Sequence, residues 1–369
     1  MVSMPNADVE SYELDAYTGT LLSVRVSGAD GEKLWINERA EALSMRLDRI
    51  FKSKTVTSIA EARDHQRVVV RAESRAVAPV YFLVDFGTGK ADTIGEEYPE
   101  LINHDLGEVR DYRYKTRDGV ELFSYLTLPA GVHDAKNLPL VVLPHGGPHA
   151  RDSANFDWLR QFLASLGYAV FQPQFRGSSG FGLSFEAAGK RQWGGLMQND
   201  VTDGVQALIK EGLADAHRVC IVGGSYGGYA ALAGAAFTPD LYACAASING
   251  VTDLPHFYGY IVERSGDSTD ATAEWLDDVG PPTDPNVIGN SPARAAQHIQ
   301  APILLVHSTD DSVVTIKQSE EMAAALKRAN KSYRFEKLVG NDHWLSRGET
   351  RIKLLQLLQD FLQQYLPTS

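Results

Sequence analysis

Val219-Cys220-Ile221-Val222-Gly223-Gly224-Ser225-Tyr226-Gly227-Gly228-Tyr229-Ala230-Ala231-Leu232 opens as an apolar strand, passes through a glycine-rich turn and ends in helix formers. Within it stands the pattern G-x-S-x-G, in the strand–turn–helix context that gives the pattern meaning. A serine at such a turn is held on a tight, strained bend, and its hydroxyl projects off the sheet. Glycines before and after leave room for the backbone to close. The same turn sets the Tyr226 N–H and a helix N-terminus beside the point where negative charge develops when a carbonyl is attacked.

Outward from this turn, apolar strands alternate with amphipathic helices. A hairpin-like pair at 108–114 and 121–128 leads into strands at 140–143, 169–173, 218–222, 243–248, 303–306 and 333–337. Helix-like stretches lie between them at 158–166, 201–209, 229–236, 319–328 and 352–365. Fully apolar strands alternating with helices imply a mostly parallel, doubly wound sheet covered on both faces.

A serine alone is a weak nucleophile and needs a positioned base. In α/β-hydrolase folds the order along the chain is serine, then acid, then histidine. After the strand at 303–306 come Asp310 and Asp311, at a strand's carboxyl end, where open α/β sheets keep their function. Spacing alone does not choose between them. After the last strand comes Gly340-Asn341-Asp342-His343-Trp344, which makes His343 the expected base. His307 precedes the acid and is expected to support the loop, and His145 is too early for this order. The turn Pro144-His145-Gly146-Gly147-Pro148, directly after a strand, can aim a backbone N–H at a substrate oxygen.

Composition bounds the reading. The chain has 369 residues, 44% of them hydrophobic and 22% charged, as in a globular protein with a core of normal size. A formal net charge of -12 sets aside nucleic acid and anionic membrane as partners. No run reaches the roughly 18 apolar residues of a membrane span. The opening 1–10 is polar and lacks an apolar signal core, so a cytoplasmic location is expected. Cys220 and Cys244 sit in strand-like runs and are expected to be buried free thiols. Two cysteines with no matching histidine cluster make no zinc site, and no metal or cofactor is expected.

His145-Gly146-Gly147-Pro148, then Phe175-Arg176-Gly177-Ser178-Ser179-Gly180-Phe181-Gly182, Trp193-Gly194, Asp200-Val201-Thr202-Asp203, the serine turn, Asp311-Ser312-Val313-Val314 and Asp342-His343-Trp344 follow one another in a fixed order. Together they resemble the prolyl oligopeptidase family (serine peptidase family S9), most of all its acylaminoacyl-peptidase and dipeptidyl-peptidase-like branches. The resemblance covers roughly residues 108 to 366. It implies Asp311 rather than Asp310 as the acid, since the family's acid stands four residues after a strand-end histidine and three before a valine. It implies Ser225 as nucleophile, His343 as base, and the Gly147 and Tyr226 amides as oxyanion donors. The walls of the family's side-chain pocket fall on Tyr226, Val251, Leu254, Phe257 and Val314. In the prolyl and dipeptidyl branches a tyrosine side chain also helps bind the oxyanion, and His145 holds its place here. Val313 stands where the family often has Arg or Asn contacting a substrate carbonyl.

Residues 1–107 differ in texture. Short strand-like segments at 21–26, 68–72 and 80–84 are separated by turns, with a more helical or irregular stretch at 37–51. The resemblance implies a remnant of a β-propeller of one or two blades, followed by an α/β-hydrolase domain over 108–369. Open strand edges tend to pair, so a homo-oligomer is expected. The expected function is hydrolysis of peptide or acyl-aminoacyl bonds in short substrates with apolar side chains. A broad carboxylesterase on the same residues is the alternative, and a non-catalytic fragment the second.

Overall fold

Neighbouring residues of the central strands belong to two different cores. Leu140, Val142, Val219, Ile221, Ile303 and Leu305 face one, while Val141, Leu143, Cys220, Val222, Leu304 and Val306 face the other. This period of two is the geometry of a strand buried on both faces. The computed structural model describes residues 9–26 and 33–368. Most of the polar opening at 1–10, up to residue 8, lies outside the described residues.

The chain begins with β1 (Val9–Leu14), β2 (Leu21–Val26) and β3 (Lys33–Trp35), a three-stranded antiparallel sheet. Helix α1 (Glu38–Ile50) follows, capped by the Asn37 side chain on the Ala40 N–H. The stretch read as helical or irregular is therefore a helix. Strands β4 (Thr55–Glu61), β5 (Arg67–Ser74), β6 (Val77–Asp85) and β7 (Lys90–Glu96) form an antiparallel meander in sequential order, the form of one propeller blade. Leu47 and Phe51 pack on Val68, Val70, Ala72 and Val84 beneath it. Among the described residues no further strand lies beside β4 or β7.

The remaining strands are β8 (Glu108–Lys115), β9 (Glu121–Leu128), β10 (Leu138–Val142), β11 (Ala169–Pro173), β12 (Ala214–Gly224), β13 (Cys244–Ile248), β14 (Ile303–Ser308) and β15 (Tyr333–Leu338). They form one sheet in the order β15-β14-β13-β12-β10-β11-β9-β8. β10 through β15 are mutually parallel, and β8 and β9 run antiparallel at one edge. The helices are α2 (Trp158–Ser165), α3 (Leu183–Ala187), α4 (Leu196–Lys210), α5 (Tyr226–Phe237), α6 (Leu254–Ser265), α7 (Asp270–Asp278), α8 (Pro285–Gly289), α9 (Lys317–Arg328) and α10 (Gly348–Tyr365). α4, α5 and α9 cover one face, while α2 and α10 cover the other. This is the doubly wound, mostly parallel sheet expected of an α/β-hydrolase. No helix among the described residues is long and apolar enough to cross a membrane.

The expectation of free thiols is corrected. Cys220 and Cys244 stand opposite each other on β12 and β13, with their Cα atoms 4.8 Å apart, and are joined as a disulfide. That separation lies within bridging range. Both residues read as core in isolation, and only the register of the two strands brings them together.

Candidate active site

The turn after β12 is strained at its centre. Ser225 has φ +58° and ψ -121°, a region a residue with a Cβ seldom enters, and it holds that shape between fixed neighbours. Its N–H donates to Ile248 O at 2.9 Å, and its carbonyl accepts from the Tyr229 N–H at 3.0 Å. The flanking glycines are sterically required. A Cβ on Gly223 would stand 2.3 Å from the Gly227 backbone, and one on Gly227 would stand 2.1 Å from Pro144 O. The sequence therefore folds the serine onto the sheet's rim and presses the 144–148 turn against it. A Cβ on Gly146 would lie 3.5 Å from the Ser225 Cβ.

Asp311 is buried in the loop after β14, while Asp310 is exposed. The Oδ1 of Asp311 accepts the Val313 and Val314 N–H groups at 2.8 and 2.9 Å. Its Oδ2 lies 2.6 Å from the Nδ1 of His343. One carboxylate oxygen thus shapes the turn and the other meets the imidazole, which leaves Nε2 as the ring's free end. The Ser225 hydroxyl has no hydrogen-bond partner among the described residues. The structure joins the predicted acid to the predicted base and leaves the serine link open, as is common before substrate tightens such a site.

His307 sits behind the acid, fully buried. Its Nε2 donates to Val314 O at 2.9 Å, and its Nδ1 lies 2.7 Å from the Ser319 hydroxyl. Burial lowers its pKa, so the ring is neutral and closes the 311–314 turn, the support expected of it. Asn249, just past β13, is a residue the sequence reading missed. Its Oδ1 accepts the Ser308 N–H at 2.8 Å, and its Nδ2 donates to His343 O at 3.2 Å. It holds a φ of +50°, a conformation Asn tolerates better than most residues, and nothing local in the sequence marks its two long-range contacts.

The Gly147 and Tyr226 N–H groups have no acceptor among the described residues. Tyr226 is the first residue of α5, where an amide is without an intrahelical partner. Gly147 has φ +115°, and a Cβ there would meet the His149 N at 2.8 Å, so only glycine fits.

A cavity of about 330 Å³ opens beside Ser225. Gly147, Tyr226, Val251, Phe257 and Val314 line it, as four of the five pocket assignments expected. Leu254 does not. It lies at the first turn of α6, 1% exposed, and faces the main core. The sequence reading missed Trp193 and Trp275, whose rings meet at 5.6 Å in the wall. Trp275 arrives on α7, whose place over the cavity is set by tertiary packing of 254–289. His149 also lines the cavity, with its Nε2 2.7 Å from an Asp278 oxygen. Among the described residues, Asp253, His256 and Glu321 form a group close enough to hold a cation, but Asp253 is already held by Arg294 at 2.7 and 3.1 Å.

The family model described as "Prolyl oligopeptidase family" matches residues 154–369. The chain belongs to the prolyl oligopeptidase family. Dipeptidyl aminopeptidase BIII of Pseudoxanthomonas mexicana is 33% identical over 380 residues, covering 98% of this chain and 53% of its own length. The human acylamino-acid-releasing enzyme is 29% identical over 63% of this chain and 32% of its own. Among solved structures, a puromycin-hydrolyzing peptidase of Mycobacterium tuberculosis superimposes with a TM-score of 0.81 at 25% identity, covering 100% of this chain and 56% of its own. The chain spans about half the length of the first of these relatives and less of the second. Two departures from the prolyl oligopeptidase family pattern stand in the site. Val313 lines the cavity where the family often has Arg or Asn, and the His145 ring is turned away into the protein, stacked on Phe175 at 4.3 Å.

Proposed function

We propose that the chain is a serine hydrolase cleaving peptide or acyl-aminoacyl bonds of short substrates with an apolar side chain beside the scissile bond. Ser225 Oγ attacks the carbonyl carbon, and its proton passes to His343 Nε2. Asp311 holds the ring by Nδ1 and stabilises the imidazolium. The Gly147 and Tyr226 N–H groups take the charge on the carbonyl oxygen. His343 then gives its proton to the leaving amine, and water releases the acyl group by the same steps in reverse. The observation that carries the reading is the aromatic and aliphatic cavity opening at the nucleophile between the two free amides.

A carboxylesterase reading is favoured by Val313, which cannot donate to a substrate carbonyl. A lost hydrogen bond to a charged group is worth about 1.5–3 kcal/mol. Comparing an N-acyl-phenylalanine anilide with a p-nitrophenyl ester separates the two. Anilide turnover abolished by Ser225→Ala supports the peptidase reading, and ester turnover without anilide turnover supports the esterase. We also propose self-association through the outer strands β4 and β7, which a monomer mass in dilute light scattering would contradict.

A further inference from the structure

Trp344 stands directly after the proposed base and is 76% exposed. Its indole crosses the His343 imidazole at 89°, with the ring centroids 5.2 Å apart. A single exposed apolar side chain is ordinary. The backbone on both sides of this one, however, is pinned. The Gly340 N–H donates to the Thr309 hydroxyl at 2.9 Å, and Asn341 O accepts the Asp310 N–H at 3.0 Å. His343 O accepts from Asn249 Nδ2 at 3.2 Å. The Asp342 carboxylate accepts the Ser346 N–H at 3.0 Å and the Ser346 hydroxyl at 2.7 Å. Leu345 is 8% exposed and packs in the core with residues of α10. An indole is thus left bare on a fixed loop beside the reacting centre, where little ordering remains when a ligand covers it.

The cavity beside Ser225 takes the acyl side chain, and neither His343 nor Trp344 lines it. With that side chain in place the scissile bond lies at Ser225. Its leaving atom must come within hydrogen-bonding reach of His343 Nε2 to receive the proton. The residue that departs therefore lies against the His343 side of the site, where Trp344 offers a bare aromatic face. A ring or long aliphatic chain laid on that face takes apolar area of both partners out of water, and glycine has none to offer. We propose that Trp344 is a specificity-determining residue, a platform for the leaving group that favours departing residues with an aromatic or large aliphatic side chain. This rests on the hydrolase reading above.

The same platform serves the reverse direction. Once Ser225 carries the acyl group, an amine can attack in place of water. Its nitrogen bonds to the acyl carbon, the bond from that carbon to Ser225 Oγ breaks, and the proton lost by the amine passes through His343 to Oγ. An amide forms and the free serine returns. The attacking amine stands where the leaving amine stood, so its side chain meets Trp344 as well. Preference among attacking amines therefore reports on the leaving-group side alone, because the acyl group is the same for all of them.

The test uses the full chain and two variants, Trp344→Ala and Trp344→Phe, with folding checked by circular dichroism. One arm compares cleavage between the two residues of N-acetyl-Phe-Phe-amide and N-acetyl-Phe-Gly-amide, resolved by chromatography. The wild type is expected to favour the first in kcat/KM by roughly 10-fold or more. Trp344→Ala is expected to erase most of that ratio, and Trp344→Phe to keep most of it. The other arm forms the acyl-enzyme from N-acetyl-phenylalanine p-nitrophenyl ester and offers it phenylalaninamide or glycinamide. The ratio of transfer to the two amines is expected to fall roughly 10-fold in Trp344→Ala, and intrinsic amine reactivity cancels in that comparison. Where only esters turn over, the second arm decides. A wild type indifferent to the leaving residue, no transfer to phenylalaninamide, or a Trp344→Ala variant that slows every substrate equally would each overturn the proposal, the last by making Trp344 a mere support of His343. A wild-type chain that turns over no acyl substrate and takes no fluorophosphonate would instead sink the hydrolase reading, and this proposal with it.

Discussion

The Asn249 side chain donates to the carbonyl of His343 at 3.2 Å while accepting the Ser308 N–H at 2.8 Å. One residue earlier, Ile248 O takes the N–H of Ser225. The loops bearing the proposed base and nucleophile are therefore tied to consecutive residues at the end of β13. Asn249→Ala removes both bonds, together with a third from Nδ2 to the Ser308 hydroxyl at 3.2 Å, and leaves the buried Ser308 N–H unpaired, at a cost of about 1–3 kcal/mol. A fall in melting temperature of several degrees is expected in calorimetry. A drop in kcat beyond that explained by unfolding is expected in kinetics at 25 °C.

Glycine positions give a sharper contrast. Gly227→Ala drives a Cβ to 2.1 Å from Pro144 O, where only backbone can give way. Loss of soluble, active protein is expected. Gly259 lies within α6 with nothing within 4 Å of an added Cβ. Gly259→Ala should raise stability by about 0.5–1 kcal/mol and leave kinetics unchanged. Denaturant titration of both variants checks the pair.

Burial holds the His145 ring down at about 4, against an ordinary value near ~6.5. The unfolded chain takes up this proton as pH falls below about 6.5, and the folded chain does not until about 4. This contribution to stability is present above ~6.5 and is lost across that window, by about 3 kcal/mol in all. His145→Asn cannot titrate, so its stability should fall less than that of wild type between pH 6.5 and 4. Urea titrations at pH 7, 5.5 and 4 measure the difference.

Cavity shape should govern selectivity. Val251→Phe places a ring in the space beside Ser225, and the ratio of kcat/KM for phenylalanine over alanine anilides is expected to fall about 10-fold or more. Leu254→Met, outside the cavity wall, should leave that ratio unchanged. Equal shifts in both variants would remove Val251 from the pocket.

These contrasts show what was legible in the sequence. The elbow at Ser225 was readable because its glycines answer a local steric demand. The strands were readable because burial on both faces makes them uniformly apolar. Asp311 and Asp310 were inseparable by spacing, since adjacent loop residues differ only in which way the loop turns them. Leu254 was placed in the pocket because an apolar residue near a site carries no mark of which face of its helix it occupies. Trp275, Asn249 and the Cys220–Cys244 bridge depend on contacts between segments distant in the chain. No local pattern encodes those contacts.

The most direct measurement is adduct mapping with a fluorophosphonate probe, followed by peptide mass spectrometry. One label per chain on Ser225 is expected, absent in Ser225→Ala and slowed at least about 10³-fold in His343→Ala with unchanged circular dichroism. Stoichiometric labelling at another serine, or hydrolysis that survives Ser225→Ala, would contradict the assignment of Ser225 and His343 as nucleophile and base.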